Sequence, residues 1–163
     1  METAVNIIRE AVRETSLKMF DSESKITFSS GYTSTIINEI TLLTISGNKS
    51  PFPLIAMFTE QVTESISNNI LTVTIPKIVI CCRAVENLTE KQRIATSFKK
   101  VLHPIFEEFQ KQLIKLNLSY NLTINRSDVP YYTESNSKSG KFNEMVDGII
   151  IKNLKIKVLI KNC

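Results

Sequence analysis

Apolar residues return along this chain at two periods, and the change from one to the other marks helices and strands. Over residues 2–20, Val5, Ile8, Val12 and Met19 recur at helical spacing, and Ala11 and Leu17 widen the stripe. Arg9, Glu10, Arg13, Glu14 and Lys18 fill the other face, with Glu14 and Lys18 set as an i,i+4 pair. Asp21 to Ser24 ends this helix. Ile26 and Phe28 then share one face of a short strand over 25–29. Residues 33–45 carry both signals: β-branched content suits a strand, while Ile36, Ile37, Ile40, Leu43 and Thr44 fit a helical period. A short helix capped by Thr33 or Ser34 is the favoured reading.

A turn is expected at Gly47 to Pro51. Residues 52–59 (FPLIAMFT) are apolar at every position but the last, which predicts a strand covered on both faces with Pro53 near its start. Polar residues 60–69 form a loop or hairpin connection. The strongest strand signal of the first half is 70–84, where Leu71, Val73 and Ile75 share a face. Pro76 removes a ladder donor and places an edge or bulge there.

Residues 89–116 predict the longest helix. Thr89 and Gln92 have the spacing of a capping box. Ile94, Phe98, Val101, Leu102, Ile105, Phe109, Leu113 and Leu116 form its apolar stripe, and Pro104 predicts a kink near Lys100 to His103. Alternation over 118–125 predicts a strand with Leu118, Tyr120, Leu122 and Ile124 inward. Residues 126–148 hold little periodicity and read as a long interaction loop. The last strand is 149–161, with Leu154, Ile156, Val158 and Ile160 inward and Lys155, Lys157 and Lys161 on the wet face. These elements predict one α+β domain over 1–163. Its antiparallel or mixed sheet of about 4–6 strands is packed by an N-terminal helix and a long kinked helix.

Composition narrows the function. Hydrophobic residues make up 42% and charged ones 22%, a balance that supports a core without disulfides or metal. No apolar run reaches the ~20 residues of a membrane span. The amphipathic first 20 residues, with Glu2, Glu10 and Glu14, do not read as a signal peptide. The five Asn-x-Ser/Thr triplets then read as chance. Net charge is +4, and the one dense basic stretch, Lys152, Lys155, Lys157 and Lys161, reads as a solvated strand face before a phosphate-binding one. Cys81 and Cys82 point to opposite faces of a strand and do not chelate one metal. With Cys163 they make an odd count, which suggests reduced thiols in a cytoplasm-like compartment.

No nucleotide loop, zinc-protease or CxxC motif is present, so no cofactor or metal is expected. His103 is the single histidine and lies mid-helix beside Pro104 without a nucleophile motif nearby. Glu107 and Glu108 diverge by about 100° on a helix and form no carboxylate pair. The expectation is a protein without enzymatic activity. Phe52 and Pro53, and Val129, Pro130, Tyr131 and Tyr132, stand out as apolar residues beside prolines in turn or loop sequence. They divide between lids over the core and an intermolecular contact.

The order of elements, the Ser50-Pro51-Phe52-Pro53 turn and the helix Val101 to Phe109 (VLHPIFEEF) resemble bacteriophage tail-terminator or tail-completion proteins. Val129 to Tyr132 and Phe142 to Ile149 share that likeness, which spans most of residues 1–160. The resemblance implies a homo-oligomeric ring, a hexamer or dodecamer, in the neck or tail of a virion assembled in the host cytoplasm. Such a ring joins portal or neck proteins to the tail, has no catalysis and no membrane contact, and touches DNA passively in its channel. The alternative is a small non-catalytic binding module, regulatory or nucleic-acid-binding.

Overall fold

The computed structural model describes residues 2–45, 50–84, 87–118, 122–132, 135–136, 140–141 and 146–160. Helix α1 (Glu2–Phe20) forms on the predicted stripe and buries Ala4, Ile8, Ala11 and Val12. Its charged face closes on Arg13, which binds Glu10, Glu14 and Glu23. Asp21, at φ +52°, ends the helix. Ser16 then organises the exit. Its Oγ accepts the N–H groups of Lys25 and Ile26 at 3.0 Å and donates to the Ser22 carbonyl at 2.6 Å.

Strand β1 (Thr27–Gly31) leads into α2 (Thr33–Ile45), so the helical period of that ambiguous segment prevails over its β-branched content. The cap expected from Thr33 or Ser34 comes from elsewhere. The Ile36 N–H bonds the Tyr32 carbonyl, and the Thr33 N–H donates to Glu60 at 2.7 Å. Strand β2 (Leu54–Phe58) is buried at all five positions and runs parallel to β1. Strand β3 (Thr63–Ser67) turns at Asn68-Asn69, both with positive φ, into β4 (Ile70–Arg83). Two such residues in a two-residue loop match the twist of a hairpin.

The capping box at Thr89 and Gln92 opens α3 (Glu90–Arg93). The chain continues through a π-helical stretch (Ile94–Leu102) into α4 (His103–Leu116). The predicted kink is thus a run of wider turns, with the His103 N–H on the Phe98 carbonyl. Wide turns before Pro104 ease the clash its ring makes with the preceding helical turn. They also rotate the stripe: Ile94 is 40% exposed, and Arg93 is turned inward in its place.

Two expectations fail after α4. Residues 122–124 form no strand, although Leu122 and Ile124 do pack on the core; Tyr120 lies outside the described residues. The expected loop from 126 instead begins as β5 (Asn125–Tyr132), an edge strand whose first residues are polar and exposed and therefore carry no apolar alternation. Short strands β6 (Ser135–Asn136) and β7 (Gly140–Lys141) pair with each other, and β8 (Val146–Leu159) starts earlier than predicted. The turn at 47–49 and the residues Lys161 and Cys163 also lie outside the described residues.

The main sheet is mixed and six-stranded, in the order β1-β2-β4-β8-β5, with β3 pairing the first half of β4. Helices α1 and α4 cover one face, over Ile55, Met57, Val73, Ile75, Ile78, Ile80, Ile151 and Ile156. Helix α2 covers part of the other, over Leu54, Ala56, Phe58, Val79 and Cys81. Pro76 leaves the β4–β8 register intact, since Ile75 faces Leu154 and Lys77 faces Lys152. Yet Leu71, Val73 and Ile75 face inward before it, and Ile78 and Ile80 after it. Both strands therefore change face at one step, Pro76 opposite Asn153, whose φ is +52°.

Candidate functional site

Three groups of side chains stand out: a buried ion pair, a helix-to-edge clamp, and apolar residues on the two sides of the sheet. Asp147 on β8 lies opposite Cys82 on β4, so both point to the inner face. Arg93 enters from the end of α3. Its Nη1 lies 3.0 Å from both Asp147 carboxylate oxygens, and both side chains are 0% exposed. Ser97 hydrogen-bonds the Cys82 sulfur from the next helical turn. Sequence reading missed this pair. Asp147 was a signal, as a lone carboxylate among Val146, Ile149, Ile150 and Ile151, but its partner is 54 residues away.

Cys81 lies in the outer core and Cys82 in the inner one, on opposite faces as expected. Burial first, and the Asp147 charge second, push the Cys82 thiol up to about 11. Burial pushes Cys81 higher still. Neither is a nucleophile at neutral pH. The folded chain keeps the Cys82 proton where an unfolded thiol has lost it, so stability falls as pH rises from about 9 to about 11. Both thiols are expected to resist alkylation at pH 8 and to react fully in denaturant, which mass spectrometry reads directly.

The clamp joins α4 to the sheet edge. His103 Nε2 lies 2.7 Å from Asp128 Oδ2 on β5. Arg126, two residues earlier, stacks over the Phe106 ring at 4.6 Å and lies 4.0 Å from the same carboxylate. The histidine thus has a carboxylate partner on β5. Among the described residues, no group of three or more His, Cys, Asp or Glu is placed to hold a metal. No helix of the described residues is long and apolar enough to cross a membrane.

The predicted interface residues fall on two sides of the sheet. Phe52 precedes β2 and Val129 lies on β5, with β4 and β8 between those strands, and both are half-buried against the outer core. Pro53 follows a cis bond, and its carbonyl accepts the Thr27 N–H at 3.0 Å. Val129 and Pro130 continue along β5 to a register shift before Tyr132. The backbones of Tyr131 and Tyr132 belong to β5, and their side chains lie outside the described residues. Phe52 also borders an open cleft of about 560 Å³ with Phe20, Lys25, Ser22 and Ser24. No known protein family and no curated protein sequence matches the chain.

Proposed function

We propose that the protein is a non-catalytic structural subunit that closes into a ring through its sheet edges, as a neck or tail component of a phage virion. One observation carries this reading: β5 ends the sheet on one side and β1 on the other. An open strand presents unpaired N–H and C=O groups that pair readily with another chain. Two different edges on one subunit suit head-to-tail contacts, which form closed rings when the rotation per subunit permits. Phe52 and Pro53 lead into β2 next to the β1 edge, and Val129 and Pro130 lie on the β5 edge, so each side of the sheet carries apolar contact area. The order of elements, helix-strand-helix then hairpin, long helix and final strands, supports the likeness to tail terminators.

Native mass spectrometry across concentration tests the reading. A discrete hexamer or dodecamer is expected. A monomer at every concentration, with and without portal and tail proteins, overturns it and selects a monomeric binding module. Tyr131→Ala with Tyr132→Ala is expected to weaken assembly about 30-fold, corresponding to an interface contribution of about 2 kcal/mol, with helix content unchanged by circular dichroism. Loss of the folded subunit instead places those tyrosines in the core.

A further inference from the structure

We propose that the part of the outer sheet face left uncovered by α2 binds the phosphate backbone of double-stranded DNA without reading its sequence. Residues directly opposed on antiparallel strands share a face. Lys77 opposes Lys152, Thr74 opposes Lys155 and Thr72 opposes Lys157. Ile75, Leu154, Val73 and Ile156 alternate with these and face the inner core. The Thr and Lys residues therefore point outward.

The step at Pro76 and Asn153 is what assembles the patch. Simple alternation puts Lys152 on the opposite face from Lys155 and Lys157. Because both strands change face together, Ile78 and Ile151 turn inward beyond the step, and Lys77 and Lys152 turn outward. Four lysines thus share one surface. Strand β3 extends it with Thr63 opposite Thr74 and Ser65 opposite Thr72. Helix α2 stops short, over Phe58 and Val79, and Lys152, Lys155 and Lys157 are exposed.

No carboxylate of the described strands shares this face. Glu64 opposes Val73, Asp128 opposes Ile149, and Asp147 opposes Cys82, all on the inner side. Without these four lysines, 16 basic residues remain against 16 acidic ones, so the patch equals the whole net charge of +4. From Lys152 to Lys157 the strand covers about 17 Å. That length meets about five phosphates per strand of a duplex.

The chemistry of the face selects the partner. Lysine is depleted at protein interface centres, where aromatic residues and arginine gather. Single-strand binders need exposed aromatic rings for stacking. The aromatic ring on this stretch, Phe58, lies under Lys77, with Nζ 4.0 Å from its centroid. Lysine ammonium groups beside Ser and Thr hydroxyls are donors suited to phosphate oxygens, and nothing here reaches into a groove to read bases. The inference stands apart from the ring reading, since it needs only the folded subunit.

Fluorescence anisotropy of the full chain with a labelled duplex of random sequence tests it. Four phosphate contacts give a slope of about −3.6 for log K against log salt, a loss of about 100-fold between about 50 and 200 mM. K155Q with K157Q is expected to halve that slope, cutting the loss over the same range to about tenfold, while the melting temperature is unchanged. K99Q with K100Q, on the exposed helical surface, leaves the slope as it is. Absence of binding at 50 mM salt overturns the proposal. So does a slope that K155Q with K157Q does not move, or tighter binding to single strands than to the duplex.

Discussion

Ile156→Asp is expected to abolish cooperative folding, while Lys155→Asp and Lys157→Asp on either side leave the melting temperature nearly unchanged. Ile156 is fully buried, opposes Val73 and lies in the inner core with Leu154 and Ile75. A carboxylate there loses its water and gains no cation. That costs several kcal/mol, and the missing isoleucine packing adds about 2 to 5. Together they rival the 5 to 15 kcal/mol of a typical domain. Lys155 and Lys157 are exposed on the other face, where substitutions typically change stability by about 0.5 kcal/mol or less. Thermal denaturation of the three variants followed by circular dichroism separates the cases. Equal melting temperatures mean that the strand faces are reversed, and the basic patch with them. Lys155→Asp and Lys157→Asp also keep the fold while inverting charge on the DNA-binding face, so their duplex affinity is expected to collapse independently of stability.

Legibility in the sequence follows how far each signal depends on distant contacts. The run Leu54 to Phe58 is apolar throughout because it is covered on both faces, and helices indeed cover both. The capping box at Thr89 and Gln92 is local and forms as spaced. β5 is different. Arg126, Ser127 and Asp128 carry no apolar alternation because this edge strand meets α4 through charged side chains, Arg126 over Phe106 and Asp128 at His103, and its strand pairing is with β8. Residues 118–125 err the other way. The Leu118 N–H does reach the Lys157 carbonyl, at 2.7 Å, but residues 122–124 form no strand. Alternation there reports Leu122 and Ile124 contacting the core, which an extended chain outside any sheet also achieves.

The candidate surfaces show the same division. Phe52 and Val129 were recognisable as apolar residues out of place, but their packing on one outer core from two different sides depends on the strand order. Lys152, Lys155 and Lys157 were read as one solvated strand face, and all three are exposed. What the sequence did not show is how Lys152 reaches that face and that Lys77 joins it, because a paired change of face in two strands leaves no trace in either strand's own pattern. Arg93 was hidden for a related reason. An α-helical period makes Ile94 the buried residue, and the π-helical turns exchange the two.

That exchange makes the Arg93–Asp147 pair the most consequential polar contact in the core. Asp147→Ala leaves a guanidinium buried at 0% exposure without this carboxylate and is expected to cost about 3 to 5 kcal/mol. For a chain of this size that lowers the melting temperature by roughly 10 °C or more. Arg93→Met with Asp147→Leu removes both charges and is expected to recover most of the loss, because a buried pair spends much of its attraction on its own desolvation. Cys82 supplies a second readout. Asp147 helps to hold its thiol high and Arg93 acts in the other direction, so Asp147→Ala is expected to bring the alkylation midpoint below about 11. The four corners of the cycle, read by urea denaturation, give the coupling energy of the pair. A cost below about 1 kcal/mol for Asp147→Ala means that water or another group replaces the carboxylate. A large cost that the double variant does not relieve means that the pair fixes the π-helical turns against the sheet by geometry. In that case Ile94 and Ser97 shift with it, and the Cys82 thiol becomes accessible to alkylation without denaturant.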